Sequence, residues 1–155
     1  MTHVVLSIGA NLGDAETMVR QTIDQLSGIL KESKASQIYQ TAPVGIEDQP
    51  KYFNAVVVGE WGGTADELLE RTSNLEEIAG RERVLRWGAR TLDIDIITFG
   101  DQVSHDPKLT LPHPRAHERL FVLIPWIELQ PDAHLMGQGD VRGMIDALQS
   151  AGATL

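Results

Sequence analysis

The stretch Arg90–Gly100, "RTLDIDIITFG", has the composition of a buried strand yet carries two carboxylates, Asp93 and Asp95. Side chains of an extended chain alternate, so residues two apart share a face. Leu92, Ile94 and Ile96 then point into a core, while Asp93, Asp95 and Ile97 point the other way. The two acids stand roughly 7 Å apart, at about 3.3 Å of rise per residue, and repel each other. Something positive has to sit between or in front of them. Hard oxygen ligands on a rigid strand suit magnesium, which takes one or two carboxylates and completes its octahedron with water and substrate phosphate. Carboxylates at i and i+2 can also hold a pair of ions about 3.5–4 Å apart, as in two-metal phosphoryl chemistry. The plainer alternative pairs one Asp with Arg90 and has the other cap a turn.

The residues just upstream sharpen that choice. The chain has 155 residues and a net charge of −9, which argues against a nucleic-acid-binding surface over most of it. Of its 13 Lys and Arg, four fall within "GRERVLRWGAR": Arg81, Arg83, Arg86 and Arg90. Two more, Arg115 and Arg119, lie in "LPHPRAHERLF". Arginine fits phosphate oxygens two at a time, so arginines gathered near an acidic pair in an acidic protein mark a local site for a small polyanion. Gly80 and Gly88 bracket the arginine-rich loop and would let it swing over a ligand, with Trp87 as a seal, a stacking surface or a simple loop anchor. No G-x-x-x-x-G-K-[ST] or G-x-G-x-x-G run is present, so any nucleotide is held some other way.

Outward from this strand the elements follow one another clearly. "HVVLSIG" alternates as a strand with Val4, Leu6 and Ile8 on one face, and Asp14 N-caps a helix whose stripe is Met18, Val19, Thr22, Leu26 and Ile29. "SKASQIYQT" reads as a second, more polar strand, "APVGIEDQPK" as a loop, and "YFNAVVVGEW" as a strand rich in β-branched and aromatic residues. Thr64 and Glu67 form a capping box for a helix with Leu68, Leu69, Thr72, Leu75 and Ile78 on its apolar stripe, closed by Gly80. The order β-α-β-β-α-β predicts an α+β fold of the ferredoxin-like, split βαβ kind: a mostly antiparallel sheet, both helices on one face and the other face free for a site. "FVLIPWIEL" reads as a Pro-interrupted helix, and a weaker amphipathic helix falls near Val141–Leu148. One domain, 1–155, is expected. The absence of cysteine excludes disulfides and thiolate chemistry, and no run is long and apolar enough for a membrane span or signal peptide. The expectation is a cytoplasmic monomer that binds neither membrane nor nucleic acid.

Two further groups bear on a ligand. Tyr52 and Asn54 share a strand face, and the neighbouring loop offers backbone groups at Pro43, Val44 and Gly45. Stacking aromatics with amide and backbone hydrogen bonds typically read a flat heterocycle, although an aromatic and an Asn at a strand start are common in plain structure too. In "PHPRAHERLF", His113 beside Arg119 offers a phosphate contact or a structural histidine.

With these residues in view, the chain resembles the 6-hydroxymethyl-7,8-dihydropterin pyrophosphokinases of folate biosynthesis from about Val4 to Pro131. The resemblance rests on "IGANLGD", "YQTAPVG", "DQPKYFNAVV" and above all on "RWGARTLDID" followed by "LPHPRAHERLFVL". Ala89 stands where the family usually has Pro, and Ala10 where Ser is common. The resemblance implies transfer of diphosphate from ATP to the pterin hydroxymethyl oxygen, with release of AMP. It implies that Asp93 and Asp95 bind two magnesium ions and that Arg81, Arg90, His113 and Arg119 contact phosphates. Arg83 and Trp87 would lie on the closing loop and Glu76 near the nucleotide. Tyr52 and Phe121 would sandwich the pterin, whose edge is read by Thr41, Pro43, Val44, Gly45 and Asn54. Whether Asp95 or no protein group takes the hydroxyl proton stays open. A metal-dependent phosphohydrolase and a binding module without turnover are the competing readings: the hydrolase would release free phosphate or pyrophosphate without any pterin acceptor, and the binding module would form no AMP from ATP.

Overall fold

A computed structural model describes residues 1–41, 50–81 and 92–155 of the chain. Its elements in order are β1 Thr2–Ala10, α1 Ala15–Ser27, β2 Lys31–Ala35, β3 Tyr39–Thr41, β4 Tyr52–Trp61, α2 Ala65–Arg81 and β5 Asp93–Phe99. Then come β6 Ser104–Asp106, β7 Leu109–Leu111, a 3-10 turn at Ala116–Glu118, α3 Leu120–Leu129, β8 His134–Leu135, β9 Gly139–Asp140 and α4 Val141–Ser150. The fold is α+β. Its main sheet has the order β2-β4-β1-β5, with β3 also paired to β4, and every pairing is antiparallel.

The helices start where the sequence says they should. The Asp14 carboxylate accepts from the Thr17 N–H at 3.4 Å. At α2 the capping box is reciprocal: Glu67 N–H donates to the Thr64 hydroxyl oxygen at 3.2 Å, and Thr64 N–H to the Glu67 carboxylate at 2.9 Å. That second bond, with the Thr64 hydroxyl, holds the Glu67 carboxyl below the usual carboxylate range. The end of α2 differs from expectation. Gly80 lies inside the helix, which runs on to Arg81, and Ile78 is exposed while Ala79 is buried in its place. One glycine costs a helix interior only about 1 kcal/mol, too little to stop it.

The predicted strand "SKASQIYQT" is two strands, β2 and β3, both paired to β4. Ser36 divides them. Its N–H donates to Val56 O, and its hydroxyl oxygen accepts from Val56 N–H and donates to Gln37 O. The hydroxyl thus stands in for a ladder carbonyl and the register slips: Ala35 faces Val57, whereas Tyr39 faces Asn54.

Alternation along β1 sorts the core into two. Val4, Leu6, Ile8 and Ala10 face α1 and α2, joined by Ala55 and Val57 of β4 and by Ile94 and Ile96 of β5. Val5, Val56, Val58 and Ile97 face the other way and pack under α3 and α4, against Leu120, Leu123, Trp126 and Ile145. A bulge in β5 sits between these sets: Leu6 faces Ile96 and Val5 faces Thr98, so Ile97 is the extra residue. Beyond it, parity inverts and Phe99 returns to the first core. The sequence left the second face of the sheet free; the structure corrects this, because α3 and α4 cover its apolar half. The helix α3 also runs unbroken through Pro125, which is buried.

Candidate functional site

The covered face of the sheet changes character along the strands. Cross-strand rows read Val58 and Val5 at the covered end, then Val56, Ser7 and Asp95, then Asn54, Gly9 and Asp93. Tyr39 pairs with Asn54 at the outer side of that last row, and Tyr52 pairs with Thr41 just beyond it. Apolar rows take the helices. The polar rows remain open and floor a cavity of about 630 Å³.

Of the residues that the sequence singled out, Asp93, Asp95, Thr41, Tyr52, Asn54, Arg119 and Phe121 line this cavity. The two aspartates share one face of β5, alternating with Ile94 and Ile96, which are 5% exposed. The positive charge they require is present at Asp95. Its Oδ2 lies 3.8 Å from Arg119 Nη1 and 3.9 Å from His113 Nε2. The guanidinium of Arg119 also stands 5.5 Å from the centre of the Phe121 ring, a cation–π distance that couples the charged and aromatic walls.

His113 is placed by backbone. Its N–H donates to Ile97 O at 2.9 Å, and the Arg115 N–H donates to its Nδ1 at 3.1 Å. In the neutral ring that second bond leaves the proton on Nε2, the nitrogen nearest Asp95. Burial pushes the imidazole pKa below the ordinary histidine value; Asp95 opposes this, while Arg119 and Arg115 add to it. Glu76 reaches across from α2, where its carboxylate accepts from the Ile94 N–H, between the two aspartates, at 2.8 Å. It therefore fixes the backbone of the acid-bearing strand. Neither His113 nor Glu76 lines the cavity itself.

Asn54 is 3% exposed, and among the described residues its Oδ1 has no hydrogen-bond partner. A buried acceptor left unmade costs about 1–3 kcal/mol, which a donor on a bound molecule would offset. Opposite it, Gly9 keeps the space open: a Cβ there would touch Oδ1 at 3.5 Å. The donor set also fits magnesium. Two carboxylates project side by side, and among the described residues no third His, Cys, Asp or Glu joins them to complete a protein cage. Magnesium needs no such cage, since water and phosphate oxygens complete its shell.

Sequence reasoning missed Ser7, Gly9, Glu118 and residues 153–155 as cavity wall, and grouped Arg115 only with the arginines of a polyanion site. Ser7 and Gly9 carried a signal: they are the small and polar members of the alternate face of β1. Residues 153–155 carried none. Pro43, Val44, Gly45, Arg83, Trp87 and Arg90 lie outside the described residues. Arg81 ends α2, and its side chain also lies outside that description.

Comparison with known proteins agrees with this geometry. Residues 5–131 match the model of the 7,8-dihydro-6-hydroxymethylpterin-pyrophosphokinase family. The chain is 42% identical over 126 residues to the 2-amino-4-hydroxy-6-hydroxymethyldihydropteridine pyrophosphokinase of Bacillus subtilis, covering 80% of this chain and 75% of that one. It is 43% identical over 150 residues to the enzyme of the same name from Mycobacterium leprae, covering 90% and 78%. The Methylorubrum extorquens enzyme of that name is 37% identical over 155 residues, covering 98% and 97%. With its aspartate pair, buried Asn54 and Arg119–Phe121 wall on one sheet face, and with a family match over most of its length, this chain belongs to the 7,8-dihydro-6-hydroxymethylpterin-pyrophosphokinase family.

Proposed function

We propose that the protein transfers diphosphate from ATP to the hydroxymethyl group of 6-hydroxymethyl-7,8-dihydropterin, giving AMP and the pterin diphosphate, a step in tetrahydrofolate biosynthesis. One observation carries this reading: the cavity joins two aromatic rings and an amide whose oxygen has no partner among the described residues to a pair of carboxylates on the same sheet face. The rings of Tyr52 and Phe121 hold the flat heterocycle, and Asn54 Oδ1 accepts from an N–H on its edge. Thr41 lies beside Tyr52 and, with Pro43, Val44 and Gly45, completes that edge.

Asp93 and Asp95 hold two magnesium ions. When bound, these neutralise polyphosphate charge. Arg119 and His113 approach the same polyphosphate, His113 through its Nε2–H. Arg81, Arg83, Trp87 and Arg90 belong to the nucleotide side, and Glu76 steadies the strand between them. The acceptor oxygen bonds to the β-phosphorus, the bond from that phosphorus to the bridging α,β-oxygen breaks so that AMP leaves with that oxygen, and the hydroxyl proton passes to solvent water. Such a transfer demands alignment and charge neutralisation more than covalent help from the protein.

The strand order β2-β4-β1-β5 supports the ferredoxin-like arrangement, with β2 and β3 together as its second strand. The proposal takes residues 1–155 as one domain, a cytoplasmic monomer with small-molecule partners and no nucleic acid. Its acidity supports this, and among the described residues no helix is long and apolar enough to cross a membrane.

The test is incubation with ATP, magnesium and 6-hydroxymethyl-7,8-dihydropterin while following AMP. AMP should form only with the pterin present. Asp95→Asn should lower its rate by about 10²–10³-fold with an unchanged melting temperature. AMP release without pterin, or near-parent turnover by Asp95→Asn, defeats the proposal.

A further inference from the structure

The wall of the cavity that the sequence did not foresee is residues 153–155, and the way they reach it is well defined. The helix α4 ends in a Schellman turn. Gly152 has φ +97°, its N–H donates to Gln149 O at 3.0 Å, and Ala153 N–H donates to Leu148 O at 3.0 Å. A left-handed residue reverses the chain direction there, and glycine is the residue that adopts it without strain. Ala153 then packs on the second core, beside α3. The body of α4 leans on α3 and on the 3-10 turn, the two elements that carry Arg115 to Phe121. The turn therefore delivers Thr154 and Leu155 to the rim of the cavity that Phe121 also lines, where both stay exposed.

The position says which ligand they meet. Every described residue assigned above to the heterocycle lines this cavity: Thr41, Tyr52, Asn54 and Phe121. Of the described residues assigned to the nucleotide, Arg119 lines it, but His113 and Glu76 do not. Asp93 and Asp95 line it as well, so a segment on this wall shares one cavity with every described residue assigned to the acceptor. Leu155 is also among the large apolar side chains that remain exposed, at 37%. Covering a flat ring would bury it.

We propose that residues 153–155 form a wall of the acceptor pocket, with Leu155 packing on the heterocycle and setting its affinity. The inference rests on the pterin reading above and adds to it a contact from a part of the chain beyond the family match, which ends at residue 131.

The experiment compares the parent with Leu155→Ala, Leu155→Asp and Gly152→Val. Dihydropterin binding is read by its own fluorescence with magnesium and a non-hydrolysable ATP analogue present; nucleotide affinity and the split between kcat and KM are read alongside. Leu155→Ala should weaken acceptor binding about threefold and Leu155→Asp about tenfold, the scale of losing part of a leucine's contact area. Both should raise KM for the acceptor while kcat and nucleotide affinity stay within about twofold. Gly152→Val, strained at its positive φ, should show the same split by redirecting the segment. Unchanged acceptor affinity in both Leu155 variants overturns the proposal, as does an equal loss for both ligands. A parent that binds no dihydropterin brings down the substrate reading and this wall with it.

Discussion

In the proposed site, Asn54 sets function against stability. Its Oδ1 is buried without a partner among the described residues, on a strand where one alanine and three valines follow it. Replacing it by leucine, of similar size, removes the orphaned acceptor. Asn54→Leu should therefore hold or raise stability by up to about 1 kcal/mol in thermal unfolding while abolishing detectable dihydropterin binding. A large loss of stability would mean that the amide is structural. Legibility at this scale followed polarity. Asp93, Asp95 and Asn54 stood out because they are polar within apolar runs. Arg115 stood out only as a charge; the backbone N–H that it donates to His113 is something no side-chain pattern announces.

Elements were legible where punctuation is local and illegible where a partner decides. The Thr64–Glu67 box and the Asp14 cap depend on residues three apart, and both formed. The break between β2 and β3 depends on a hydroxyl bonding to Val56, twenty residues on, and no local pattern contains that. The short strand β3 is held from outside as well. The Tyr39 hydroxyl donates to Glu128 of α3, whose other oxygen accepts from Gln37 N–H at 2.9 Å. Burial first, then the hydrogen bond to Glu128 and its charge, push the Tyr39 phenol up to about 12 from 10. A raised folded-state value contributes stability that is complete below pH 10 and fades as the pH climbs toward 12. Tyr39→Phe should lack that alkaline loss, so urea midpoints of the two proteins should converge between pH 10 and 12. Parallel pH curves would show that the bond adds nothing.

At the scale of the whole molecule, one sheet serves two cores, and the second is built around Trp126, which is 2% exposed. Its indole N–H donates to the Gln130 side-chain oxygen at 2.8 Å, and the Gln130 amide meets His3 at 2.9 Å, tying α3 to the first strand. Arg119 and Phe121 sit at the start of that same helix. Trp126→Ala should cost about 3–5 kcal/mol in chemical denaturation, and acceptor affinity should fall in protein that is still folded. A stability loss with intact affinity would show that the site does not depend on the second core. The first core was readable from the periods of β1, α1 and α2. The second was hidden because its sheet face alternates with the site and its helices come from a segment whose hydrophobicity gives no facing direction.

The rims of the main sheet have a consequence beyond the reaction. On one side, β5 has its Ile94 amide covered by Glu76 and its Ile97 carbonyl by the His113 amide. On the other, β2 carries Lys31, Glu32 and Lys34, with Glu32 twisted to φ +52° out of the flat pleat. Among the described residues, neither of these borders offers a straight row of open donors and acceptors to an incoming strand. The enzyme can thus set its acid-bearing ribbon at the margin of its sheet without presenting a seed for fibrous growth.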